Sequence, residues 1–393
     1  MLNRGPLRID PSNQANYPFT IERIGSQHRT RPNGAQPPPA HKPNQSTHAA
    51  RPTQSAACYH ALALPHNCLA QFTAMSSHSI GVMLPRDLPA ADVLPFARAA
   101  DALGFAELWV IEDCFFRGGI AQAAAVLAST PRIHVGIGIL PAAVRNAAFT
   151  TLEVATLAEL FPGRITVGIG HGMPAWMRQV GAWPPSPLTL LEETLNAMRA
   201  LLRGERLSTH GRHVQLDDVV LERAPAVIPR VIAGVRSPKS LAISGRCADG
   251  SILAEPVTPE YLAVAHAQIG ARNAHHIVAY QFAAIDADVR AARALVRPAL
   301  RWIGELDSRP HIAPLAFAAE LAALRTRSAT PQEFSAALPD TWVDQLAVVG
   351  PPANARVHIA QLHAAGADSV VLIPVGPHPI SALNSLALLL PGA

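Results

Sequence analysis

The stretch Arg164–Trp176, RITVGIGHGMPAW, sets His171 among Gly168, Gly170 and Gly172 where an apolar run stops. Glycines at a strand end remove Cβ atoms and let a flat ligand lie against backbone. The deeper Gly136 and Gly168 are expected to relieve crowding inside the fold, and Gly170 and Gly172 to face a ligand. A histidine at such a place can give or take a proton near neutral pH. The plainer reading is a ring bonded to a neighbouring carbonyl. A second stretch, AGVRSPKSLAISG, runs from Gly234 through Val235, Arg236 and Ser237 into a helix start. Outward amides, with Arg236, Ser237 and Lys239, suit a phosphate, and an ordinary N-cap uses the same geometry. Glu112 and Asp113 end another apolar run. Adjacent residues on a strand point opposite ways, so only one carboxylate faces a shared site. Cys114 reads as a small buried hydrophobe. His210 and His213 lack a third ligand nearby, so no metal centre is expected.

These groups need elements to position them. SIGVMLP, from Ser79, reads as a strand, and ELWVIED, IHVGIGILP, ITVGIG, RVIAGV, SILAE, HIVAYQFAAI and DSVVLIPVG follow as seven more. Helical stretches alternate with them. DVLPFARAADALGF accommodates Pro95 in its first turn and stops at Gly104. FTTLEVATLAELFPG sets Leu152, Ala155, Leu157 and Leu160 on an apolar face. SPLTLLEETLNAMRALLRGE starts from Ser186 as N-cap. HVQLDDVVL reads as a surface hairpin, and residues 287–347 as several helices. The strands are near-continuous apolar runs, as expected where both faces are buried, which argues an α/β fold with a parallel sheet. Eight such units in residues 79–393 fit a (β/α)8 TIM barrel. A doubly wound sheet fits less well, because no GxGxxG turn follows the first strand. In a barrel of this kind chemistry sits at the carboxyl ends of the strands, where the groups above lie.

Residues 1–78 differ in composition. They carry seven cationic and two anionic side chains, a charge of +5, so the remainder of the +4 chain is −1. The basic balance belongs to this Pro-, Asn- and Ser-rich segment, which reads as a disordered N-terminal extension to a single domain over 79–393. A nucleic-acid surface on the folded part is therefore not expected. Nor is a signal peptide or a membrane span. Met75, just before the first strand, is an alternative initiator, and a chain starting there is expected to keep full activity. Cys58, Cys68, Cys114 and Cys247 show no paired spacing and suit reduced thiols in the cytoplasm.

In order and spacing, ARAADALGFAELWVIED, GIGILP with VRNAAF, LAELFPGRITVGIGHG, SPLTLLEETLNAMRALLRGE, AGVRSPKSLAISGRCADGSILAE and LHAAGADSVVLIP resemble the luciferase-like monooxygenase superfamily. The resemblance covers most of the chain from Ser79. It implies a TIM barrel of the bacterial luciferase-like type, with FMN or coenzyme F420, a 5-deazaflavin, as cofactor. It implies that Asp113 holds the cofactor ring and the substrate pocket, and that Arg145 approaches the cofactor's polar chain or phosphate. Gly234, Val235, Arg236 and Ser237 would clamp phosphate, and His171 and Gly172, beside Gly170, would floor the ring. A non-proline cis peptide is implied within Gly136–Ile139, making Gly138 and Ile139 cofactor contacts. His171 would bond the ring or donate a proton after hydride transfer, and Trp176 would stack on a ligand or pack its loop. Residues 140–149 and 173–183 would shape the substrate pocket.

The chain departs from its relatives at three places. Cys114 follows Asp113 where deazaflavin-dependent relatives often have His, and Asn146-Ala147 replaces His-Pro after Arg145. Met173 stands where a sugar-phosphate dehydrogenase branch has an acid, so that branch's substrate is not implied. The expected activity is hydride transfer between a reduced flavin or 5-deazaflavin and a small organic substrate. Dioxygen is a further reactant if the cofactor is a flavin. The other reading is a non-catalytic flavin-binding barrel. A homodimer through the early helices is also implied.

Overall fold

Strands buried on both faces pair in parallel, and here eight of them close a ring. The computed structural model describes residues 78–392, so the readings made on residues 1–77, including Met75, Cys58 and Cys68, lie outside the described residues. The strands are β1 (Ser79–Met83), β2 (Glu107–Val110), β3 (His134–Pro141), β4 (Ile165–Gly170), β5 (Leu207–His210), β6 (Gln215–Val219), β7 (Arg230–Gly234), β8 (Gly250–Leu253), β9 (His276–Ile285), β10 (Val348–Gly350) and β11 (Ser369–Pro374). Around the ring the order is β1-β2-β3-β4-β7-β8-β9-β11, and β11 pairs with β1 to close it. β5 and β6 form the expected antiparallel hairpin. The expectation of eight barrel strands joined by helices holds. The short β10, which extends the outer half of β9 from Ala283 to Ile285, was not foreseen.

Side chains fill the barrel. Met83, Trp109, Ile232, Ile252, Val278, Tyr280 and Val371 form the inner cluster. A Cβ on Gly136 would lie 2.3 Å from the Trp109 ring, and one on Gly168 2.5 Å from Ile252 Cδ1. Both glycines therefore serve internal packing, as expected. At the amino end of the strands Glu107, 1% exposed, accepts from Ser79 Oγ and Ser369 Oγ at 2.6 Å each and from Trp109 Nε1 at 2.7 Å. A buried carboxylate is tolerated because donors surround it.

Two helix readings need correction. The first helix spans Ala90–Leu103, which moves Pro95 beyond the first turn. Ala91 and Pro95 are both exposed, so the carbonyl left without a donor is solvated. In the helix Ala147–Leu160, Leu152 and Leu160 are 52% and 64% exposed, not on the buried face. That helix is apolar on nearly every side, and Thr151, Val154, Leu157 and Ala158 take the buried stripe.

Between β9 and β10 the chain inserts helices Val289–Val296, Arg309–Ile312, Ala318–Arg327, Pro331–Ala336 and Asp340–Leu346. They enclose an apolar cluster of their own, including Val296, Leu300, Leu321, Phe334 and Val343. Among the described residues no helix is long and apolar enough to cross a membrane.

Candidate active site at the barrel mouth

Alternation along β2 and the residues after it sends Trp109 and Ile111 inward. Of the two adjacent carboxylates, Asp113 is the one that reaches the mouth. Its Oδ2 is 2.6 Å from Arg86 Nη1, and the Arg86 guanidinium lies 5.0 Å from the centre of the Phe116 ring. Glu112 turns outward. It accepts from the Gly119 amide at 2.6 Å, at the start of a helix, and pairs with Arg145 at 2.6 Å. Arg145 also reaches Glu153 at 3.6 Å. Its guanidinium thus bridges two carboxylates and braces the β2 and β3 loops.

The β3–β4 register shifts between Ile137 and Leu140, and the Gly138–Ile139 peptide is cis, within the span expected for it. Ile139 turns inward onto three glycines. A Cβ on Gly234 would lie 2.3 Å from Ile139 Cγ2, one on Gly170 3.0 Å from its Cγ1, and one on Gly168 3.1 Å from its Cγ2. The missing Cβ of Gly170 makes room for Ile139 and for the Gly234 carbonyl, 3.0 Å from where it would stand. Gly172 has φ +71, and its Cβ position is closed by Met177 Sδ and Pro141 Cβ at 3.0 Å each, so conformation and packing explain it. The mouth therefore presents an apolar Ile139 platform in place of bare backbone.

Beneath that platform is Tyr280. It packs edge-on against Trp109 with ring centres 5.7 Å apart. Its hydroxyl lies against Gly138, where a Cβ would come within 1.9 Å of it. That hydroxyl is buried and has no hydrogen-bond partner in the structure. Burial, with the nearby charges of Glu255, Glu107 and Asp113, holds it far into its protonated form.

His171 stands at the end of β4 as expected, but its ring is occupied. Nε2 lies 3.0 Å from Ser240 Oγ, and the ring also bonds the Pro187 carbonyl. Burial lowers its pKa, which the carbonyl bond only partly offsets. Through these bonds His171 ties the β4 end to the starts of helices Pro187–Leu202 and Pro238–Cys247.

Gly234, Val235, Arg236 and Ser237 leave β7 together. Val235 is buried, and its amide bonds Ile252 O at 3.3 Å. Arg236 donates to Asp307 O at 3.2 Å, and its own carbonyl accepts from Tyr261 Oη at 3.2 Å. Ser237 is exposed at the N-cap of helix Pro238–Cys247, and its side chain caps no amide. The first-turn amides of that helix keep their donors.

Three residues at the mouth escaped the sequence reading. Arg86 stands three residues after the end of β1, but its pairing with Asp113 is visible only in three dimensions. Arg301, from the inserted segment, lies close enough for the Arg86 charge to lower its pKa, after the larger effect of burial. Glu255, at the end of SILAE, was in plain view, but Arg236, Asp113 and Arg86 are its electrostatic neighbours only once the barrel closes. Arg86, Arg236 and Arg301 against Asp113 and Glu255 give the mouth a cationic balance suited to an anionic ligand.

The profile of the luciferase-like monooxygenase family matches residues 67–369. The 5,10-methylenetetrahydromethanopterin reductase of Methanolobus tindarius is 26% identical over 315 residues, which is 77% of this chain and 95% of that protein. Among solved structures, the coenzyme F420 dependent tetrahydromethanopterin reductase of Methanopyrus kandleri superposes with a TM-score of 0.66 at 21% identity, covering 79% of this chain and 97% of that one. The FMN-bound oxygenating constituent of 3,6-diketocamphane monooxygenase from Pseudomonas putida superposes at 0.58, with 16% identity and coverages of 80% and 97%. With a closed eight-stranded barrel and a family match spanning most of its length, the chain belongs to the luciferase-like monooxygenase family.

Proposed function

We propose that the mouth holds the ring of FMN or coenzyme F420 over Ile139 and serves hydride transfer to a small organic acceptor. The observation that carries this reading is the Ile139 platform bedded on Gly168, Gly170 and Gly234, with the unpartnered Tyr280 hydroxyl beneath it. A flat heterocycle with polar edges fits an apolar rest beside a free donor. An anionic tail fits Arg236, Ser237 and the uncapped start of helix Pro238–Cys247.

When bound, such a cofactor supplies hydride, and a flavin can in addition activate dioxygen. The chain's own residues do the remaining work. Asp113, held by Arg86, gives the mouth a fixed acceptor beside the reacting face. Tyr280 offers its hydroxyl from below. Arg145 and Glu112 brace the loops that wall the pocket. The exposed rings of Phe115 and Phe116 at the rim suit an apolar substrate body.

Two further parts of the reading are proposals of the same kind. A homodimer through the helix Ala147–Leu160 is supported by exposed Phe149, Leu152 and Leu160, and a cytoplasmic site by free Cys114 and Cys247. Absorption titrations of the purified chain with FMN and with coenzyme F420 test the cofactor assignment. Saturable binding of one is expected, and binding of neither refutes it. Tight F420 binding without FMN affinity points to hydride transfer alone, and FMN binding points to dioxygen chemistry.

A further inference from the structure

Arg236 differs from the other arginines at the strand ends. Arg86 is paired with Asp113, and Arg145 with Glu112 and Glu153. Among the described residues no carboxylate forms an ion pair with Arg236, and one carbonyl, Asp307 O at 3.2 Å, holds its guanidinium. Most of its N–H donors are therefore unspent. Val235 packs outward into the main core, so the strand repeat turns Gly234 and Arg236 to the barrel side, where Gly234 meets Ile139. Resting on the reading of Arg236 as anchor of the cofactor's anionic tail, we propose that Tyr261 and His311 are positioning residues that hold Arg236 ready for that tail.

A closed chain of contacts does the holding. Thr258 caps the helix Pro259–Ile269 by accepting from the Tyr261 amide at 3.3 Å, which fixes Tyr261 in the first turn. Tyr261 is 1% exposed, and its hydroxyl donates to the Arg236 carbonyl at 3.2 Å. Burial raises its pKa more than the Arg236 charge lowers it, so the proton stays on the donor. The His311 ring lies against the Tyr261 ring, with centres 4.1 Å apart. His311 is buried, comes from the inserted segment, and sets its Nδ1 3.1 Å from the Pro256 carbonyl after β8. A carbonyl only accepts, so Nδ1 carries the hydrogen. The Asp307 carbonyl, in the same segment, closes the chain by accepting from the Arg236 guanidinium.

The His311 imidazole suits this place because it carries no charge. Burial, and then the Arg236 charge, lowers its pKa to about 3, and the Pro256 bond offsets only part of this. A cationic ring there would repel Arg236. An arginine clamped at both its carbonyl and its guanidinium has less freedom to lose when it grips an anion, so more of the contact energy appears as affinity. The same bonds tie that affinity to the inserted segment.

Binding titrations of the full chain test this without reference to activity. FMN is compared with riboflavin, which lacks the phosphate, and coenzyme F420 with its tail-free deazariboflavin core. The ratio of the two affinities in each pair isolates the tail. Arg236→Ala is expected to lower that ratio by roughly 10–100-fold. Tyr261→Phe, which keeps the ring and loses the hydroxyl, is expected to lower it by roughly 3–10-fold while the core binds as in the wild type. His311→Leu is expected to act in the same direction. In the Arg236→Ala background neither change should have a further effect. Where a core binds too weakly to titrate, inorganic phosphate competing with the full cofactor reads the same anchor, and weaker competition is expected in all three variants. A wild-type ratio in Tyr261→Phe or His311→Leu, with Arg236→Ala effective, overturns the proposal and leaves the cofactor reading intact. Equal losses for core and full cofactor show a merely structural role and overturn it too. A wild-type ratio in Arg236→Ala removes the tail anchor and the proposal with it. Failure of every cofactor to bind refutes the proposed function itself.

Discussion

At the scale of single residues, two buried polar groups in one barrel have opposite standing. Glu107 is fully engaged. Burial pushes its pKa up, but hydrogen bonds from Ser369 and Ser79, the nearby His134 and the Trp109 bond outweigh this and leave it below the usual carboxylate range. Its stabilising contribution is therefore present above the unfolded pKa and lost as pH falls through the folded one. Glu107→Gln is expected to cost about 3 kcal/mol, and urea melts at neutral and acid pH should show the variant losing less stability on acidification. The Tyr280 hydroxyl is buried without a partner, so Tyr280→Phe is expected to leave the cofactor-free protein as stable or about 1 kcal/mol more stable. The same change should weaken cofactor binding, and calorimetry of both forms checks the pair of outcomes. Glu255 makes a third case. Its raised pKa means that folding takes up a proton above the ordinary carboxyl range, so wild-type stability falls as pH rises toward the folded value, and Glu255→Gln should melt higher there. The sequence exposed the parity that sends Asp113 and Glu112 to opposite faces, because that follows from the strand repeat alone. It did not expose that His171 is tied or that Glu255 is surrounded, since those neighbours come from other strands and helices.

At the scale of elements, the platform depends on two strands, β4 and β7, giving way to one side chain. Gly234→Ala would set a methyl 2.3 Å from Ile139 Cγ2. A loss of about 1–3 kcal/mol and weakened cofactor binding are expected, with Ile139→Ala restoring much of the stability in the double variant. A double variant no better than Gly234→Ala alone would show that Ile139 is not the clashing partner. Strand positions were legible because a parallel strand covered on both faces must be apolar throughout. The glycine pattern was legible as an absence of side chains, but not as a bed for one. The helix Ala147–Leu160 misled for a related reason: an apolar stripe identifies a buried face only when the opposite face is polar.

At the scale of the whole molecule, the same helix has a use for its excess apolar surface. If two copies meet there, Leu152→Glu should convert the dimer to single chains in light scattering with little change in folding, because Leu152 is 52% exposed in the chain itself. A wild-type chain that scatters as a monomer would remove this interface from consideration. The segment inserted between β9 and β10 has its own apolar cluster, yet the stretch joining its first two helices lends the mouth Arg301 and holds Arg236 through Asp307 O. If the proposed function holds, this segment and the strand-end platform are separate contributors to the mouth. A graft of residues 286–347 between family members should carry selectivity with it while leaving the redox engine running, so new specificities can arise by exchanging a roof without rebuilding the house.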